Sequence, residues 1–179
     1  MQEVRWGNGG MLEAEDYNFF LWKGYENHQL GTGFFVHHRL VSALKRVEFI
    51  SYRMSYIVLR GHWCNIIVLN VQVPSQEESD DSQDSFYEEL EQVSFNHFPK
   101  YHMKILLGDF NAEVGRENIF KLRIGNGILH QDSNDSGVRL VNFATTKDLV
   151  VKSMMFLHQG IHKYTWTSPD GKTHNQITY

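Results

Sequence analysis

The run WCNIIVLNVQV at 63–73 carries an unbroken apolar centre and is stopped at once by Pro74. A strand that meets water on one face alternates polar with apolar residues, so an uninterrupted run predicts a strand buried on both faces. Pro74 ends the ladder because it has no N–H to give a neighbour. Just upstream, Met54, Tyr56 and Val58 alternate with Ser55, Ile57 and Leu59, and Gly61 with His62 predicts a tight two-residue reversal, so 46–73 reads as a β-hairpin. The polar, acidic stretch SQEESDDSQDS at 75–85 leads into a helix. Phe86, Leu90 and Val93 recur on one face, Ser79 or Ser82 is placed to cap its start, and the acids suit its positive end. Pro99 closes that segment, and MKILLGDFN at 103–111 is again a short apolar run of buried-strand type. A second helix is expected from SNDSG onward, capped by Asp135 or Ser136, with Val138, Leu140, Val141, Phe143 and Ala144 as its apolar stripe. LVVKSMMF at 149–156 and KYTWTS at 163–168 return to β, and SPDG at 168–171 is a turn. Strands outnumber helices and some are separated by helical connections, which predicts an α/β fold of sheet layers with helices packed outside.

Length fits this plan. At 179 residues the chain reads as a single domain, 1–179, large enough to bury a core. No segment reaches the ~18 uninterrupted apolar residues that a membrane helix needs. Cys64 is the only cysteine, placed here in a strand, so neither an internal disulfide nor a cysteine-built zinc site is available, which favours a reducing compartment. The opening MQEVRWGNGG has no basic stretch followed by an apolar one, so no secretory signal is read and an intracellular location, nuclear or cytoplasmic, is expected. Seventeen basic against twenty-one acidic residues give a net charge of -4, the wrong sign for holding nucleic acid mainly by charge. A phosphate ligand would therefore need a cation or a local basic patch. THNQITY at 173–179 alternates like a strand with nothing after it, and both ends read as cut.

The chemistry concentrates in LLGDFNA at 106–112. On a strand, side chains two apart share a face, so Asp109 and Asn111 are expected to project together while Phe110 turns into the core. A carboxylate beside a neutral amide can hold a water nucleophile and donate a hydrogen bond to a phosphoryl oxygen without a second charge to repel the substrate. Gly108 and Ala112 are expected to keep the approach open. Asp and Asn also close strands simply by forming Asx turns, and the pattern alone leaves both readings standing.

With its upstream QE, GDFNA resembles the endonuclease/exonuclease/phosphatase superfamily. LGTGF at 30–34, NVQVP at 70–74, FYEEL, LLGDFNAEVGRENIF, SNDSGVRLVNFA, TWTSPDG and NQI at 175–177 bring the resemblance closer to the endonuclease domains of LINE-type non-LTR retrotransposons, over essentially the whole chain. The resemblance implies a four-layered α/β sandwich, two face-packed mixed sheets flanked by helices, here truncated at both ends. It also implies a metal-dependent endonuclease that nicks DNA. Glu3 would bind the catalytic Mg²⁺ or Mn²⁺, Asp109 would orient or deprotonate the attacking water, Asn111 would hydrogen-bond the phosphate, and Thr165 would lie near the DNA. Arg5, Arg53, Arg116 and Lys172 lie near these motifs in sequence and would steer phosphates or simply form a solvated face.

Departures from the family pattern fall on the same machinery. Gln72 stands where the family has His or Tyr, and an amide donates a hydrogen bond but carries no proton through phosphoryl transfer. Thr178 stands where an Asp orients the catalytic His, the family's final Asp-His motif falls beyond Tyr179, and its Asn-bearing first strand falls before Met1. Neither the pair His37 and His38 nor the loop histidines His158 and His162 obviously replaces the missing one. Impaired nicking is therefore the first expectation. A non-catalytic remnant, with or without nucleic-acid binding, is the second, and a phosphatase or phosphodiesterase of small phosphate esters the third.

Overall fold

The computed structural model describes residues 10–21, 32–75, 78–115, 133–151, 166–167 and 174–175. The chain divides into two compact units, one built from Met1–Val73 with Asp84–Gly108, the other from Pro74–Gln83 with Asp109–Tyr179.

The first unit contains two sheets. One is the antiparallel meander of β1 (Gly10–Ala14), β2 (Tyr17–Leu21) and β3 (Gly33–His37), and a single helical turn, α1 (His38–Val41), follows it. The other has the order β4-β5-β6-β7, with β4 at Leu44–Ser51, β5 at Met54–Leu59, β6 at Ile66–Gln72 and β7 at Met103–Asp109. β4, β5 and β6 are antiparallel neighbours. The N–H of Met103 donates to the carbonyl of Asn65 at 3.1 Å, which sets the starts of β7 and β6 side by side, as in a parallel pair. The sheets meet face to face through Phe34 and Val36 of β3 and Ile57 of β5, with Phe20, Val47, Leu59 and Val68 packed around them. The period of two then sends Ile67, Leu69 and Val71, all fully buried, to the opposite face of β6. Each such side chain contributes roughly 1.5–3 kcal/mol by leaving water. Two face-packed sheets with accompanying helices make this the expected α/β sandwich class.

Helix α2 (Asp80–Glu91) starts where expected: Ser79 Oγ accepts the N–H of Ser82 at 3.3 Å, and Asp80 and Asp81 occupy the first turn. Phe86 and Leu90 are its buried face, and a π-helical turn at Gln92–Asn96 follows. In the second unit, α3 (Asp135–Thr146) buries Leu140, Val141 and Ala144. A two-residue pairing of β8 (Trp166–Thr167) with β9 (His174–Asn175) completes the described elements.

Several expectations change. The β5–β6 hairpin is present, but Leu59 pairs with Ile66, so the connection is residues 60–65 and not a two-residue turn. Cys64 sits in that loop, not in a strand. Gly61 is needed there for space, since a Cβ on it would lie 2.2 Å from the carbonyl oxygen of Cys64. β7 is not buried on both faces, because Met103, Ile105 and Leu107 are exposed. Residues 149–151 are not strand, while 152–156, 163–165 and the turn at 168–171 lie outside the described residues.

Candidate active site

β7 ends at Asp109. Asn111 lies past the strand with φ 47, in the left-handed region where Asn is among the few tolerated residues. Its N–H donates to Asp109 Oδ1 at 2.9 Å. The Asx turn therefore exists, and it pins one carboxylate oxygen while leaving the other oxygen of Asp109 outside that bond. Phe110, Ala112 and Val114 are buried while Asp109, Asn111 and Glu113 are only partly so, and the alternation of burial outlasts the strand. Phe110 faces the core as expected. Ala112 does not flank an open approach, being fully buried.

The following segment is fastened to the start of α3. Asn134, not Asp135 or Ser136, is the cap, and its Oδ1 accepts the N–H of Gly137 at 2.7 Å. The same oxygen accepts the N–H of Glu113 at 3.1 Å, and the N–H of Asn134 donates to the carbonyl of Glu113 at 3.0 Å. Ser133 Oγ accepts the N–H of Gly115 at 2.9 Å. The approach is close enough to exclude any side chain at 137, where a Cβ would lie 2.0 Å from the carbonyl oxygen of Glu113. In the same unit, buried Gln83 directs its Nε2 at Ser75 O (3.3 Å), Ser136 Oγ (3.4 Å) and Pro74 O (3.5 Å). Arg139 Nη2 bonds Asp80 Oδ1 at 3.1 Å.

Gln72 belongs to the first unit, at the end of β6. Its N–H donates to the carbonyl of Arg53 at 2.9 Å, and its side chain is buried with Oε1 lacking a hydrogen-bond partner among the described residues. It shares its face of β6 with Asn70, whose Cα partner across the ladder is Ser55 and whose Nδ2 donates to Gly33 O at 3.5 Å. Ser55 Oγ and Thr32 Oγ1 are likewise buried without a partner among the described residues. Polar atoms thus crowd one end of the packing between the sheets.

Of the other sequence-derived candidates, Glu3, Thr165 and Thr178 lie outside the described residues, as do Arg5, Arg116 and Lys172. The guanidinium of Arg53 lies 5.0 Å over the ring of Tyr52. His37 caps α1 by accepting the N–H of Arg39 at 3.2 Å, and the Nδ1 of His38 lies 3.2 Å from the carbonyl of Asp16. Among the described residues no three His, Cys, Asp or Glu side chains cluster as a metal cage. The chemistry of a hard divalent ion is still compatible with Asp109, because Mg²⁺ takes one or two carboxylates and keeps several waters. Sequence reasoning missed Asn134. Its signal was an Asn three residues before a Gly at the head of an apolar stripe.

No family model matches this chain. Over its full length it is 28% identical, across 181 aligned residues, to craniofacial development protein 2 of Bos taurus, and 28% identical across 181 to that of Tragulus javanicus. It spans 30% and 31% of the length of those two curated relatives. Among solved structures, the endonuclease domain of TRAS1, a telomere-specific non-LTR retrotransposon, aligns with a TM-score of 0.50 and 14% identity, covering 73% of this chain and 52% of that one.

Proposed function

With an endonuclease/exonuclease/phosphatase-like fold as the premise, we propose that this chain is a nuclease domain that hydrolyses phosphodiester bonds in DNA and nicks it. The observation carrying this reading is Asp109, set at the end of β7 with one carboxylate oxygen fixed by the N–H of Asn111 at 2.9 Å. A carboxylate held in one orientation can accept a proton from an attacking water. The water oxygen then forms the new P–O bond as the bond to the leaving sugar oxygen breaks, and that oxygen takes up a proton from solvent. The Asn111 amide supplies a neutral donor for a phosphoryl oxygen. By the resemblance Glu3 would hold Mg²⁺ or Mn²⁺, which when bound neutralises phosphate charge and makes a net acidic chain compatible with a polyanion.

Supercoiled plasmid with Mg²⁺ tests this directly. The wild type is expected to convert it to the nicked form, and Asp109→Ala to lose the activity by about 10² to 10⁴-fold. Equal nicking by both proteins, or none by either, overturns the proposal. The second reading, a remnant without catalysis, is favoured by Gln72, which stands where a proton-carrying side chain is expected and leaves its buried Oε1 without a partner among the described residues. Hydrolysis of inositol phosphates with the plasmid left intact would instead support a small-ester phosphatase.

A further inference from the structure

We infer that Asn134 is a positioning residue for the Asp109–Asn111 turn, acting through the backbone of Glu113. This rests on the proposed function for its catalytic consequence but not for its structural content. A helix cap needs only one acceptor for one free N–H. Asn134 does more: its single Oδ1 takes the N–H of Gly137 and of Glu113, while its own N–H returns a bond to the carbonyl of Glu113. Both backbone polar groups of Glu113 are thereby held by one residue. The turn is fixed at one end by the β7 ladder, which stops at Asp109, and at the other by this pair of hydrogen bonds at Glu113. Only Phe110, Asn111 and Ala112 lie between, and of these Phe110 and Ala112 are buried. The left-handed backbone of Asn111 has little freedom to relax once both ends are held. Gly137 belongs to the same device, because any side chain there would push Glu113 away.

Two substitutions separate capping from positioning. Asn134→Asp keeps an oxygen that can accept both N–H groups. Asn134→Ser keeps a good cap, but its hydroxyl is one bond shorter and does not also reach Glu113. In amide-resolved NMR of the full chain, Asn134→Ser is expected to accelerate hydrogen exchange at Glu113 and shift the Asn111 amide that donates to Asp109. The melting temperature should stay within a few degrees of the wild type, and Asn134→Asp should restore both signals. In plasmid nicking, Asn134→Ser should lower the rate at saturating DNA by roughly 10 to 10²-fold with little change in KM, the scale on which small misplacement of a reacting group acts. An unmoved Asn111 amide in Asn134→Ser overturns the inference whatever the nicking shows. An absence of nicking by the wild type overturns the proposed function alone, since the amide signals still decide the role of Asn134.

Discussion

Asp109 and Asn111 satisfy two descriptions at once, an Asx turn that closes a strand and a carboxylate–amide pair suited to phosphate chemistry, and the first is present without removing the second. Elsewhere single residues carry a cost. Thr32 is fully buried and its hydroxyl has no partner among the described residues, which is destabilising because the hydroxyl has exchanged water for nothing. Thr32→Val keeps the shape and removes that hydroxyl, so it is expected to stabilise the protein by about 1 kcal/mol, read as a rise of roughly 2–4 °C in a thermal melt. Tyr56 is the opposite case. Burial first, then the hydrogen bond its hydroxyl donates to Glu48 at 2.8 Å, push its pKa from 10.0 up to about 12. Below pH 10 the folded and unfolded chains both keep that proton; between pH 10 and 12 only the folded chain does, so stability falls across this window. Denaturant titrations at several pH values should show that fall in the wild type and a shallower one in Tyr56→Phe.

At the scale of elements, β5, β6 and the two long helices were legible because their periods are local signals, although the cap of the second helix falls on Asn134 and not on the residues expected. The meander β1-β2-β3 was not anticipated. Its apolar residues come as adjacent pairs such as Met11-Leu12 and Phe19-Phe20, and its first turn, Glu15-Asp16, contains no Gly or Asn although Glu15 has φ 25. The six-residue loop of the β5–β6 hairpin was read too short, since nothing local says that Gly61 is spent on approaching Cys64 O rather than on a turn. Gly61→Ala is expected to force that loop apart and cost about 1–3 kcal/mol, as overpacking does. The urea midpoint should drop with its slope unchanged. For the candidate site, the strand-end Asp109 could be read from the apolar run before it. The clasp by Asn134 could not, because it joins backbone groups 21 residues apart through a bond no residue pattern encodes.

For the whole molecule, charge sets the terms of any encounter with DNA. A net charge of -4 leaves little to release counterions from a duplex. Binding measured without divalent ions should be weak, with log K against log salt falling no more steeply than about -3, the signature of few neutralised phosphates. Addition of a chelator should abolish nicking and excess Mg²⁺ should restore it. Retained nicking in chelator would contradict the proposed role of the metal.

The polypeptide leaves the first unit after Val73, contributes Pro74–Gln83 to the second, returns for Asp84–Gly108, and leaves again at Asp109. A path of this kind cannot be parted by one protease cut, because severing any one of the three crossings still leaves each body sharing a covalent strand with the other. Gln83 and the Arg139–Asp80 pair are the seams that sew the short excursion to α3. Dissecting the protein into independently expressed halves would thus require joining two separate stretches of chain within each body.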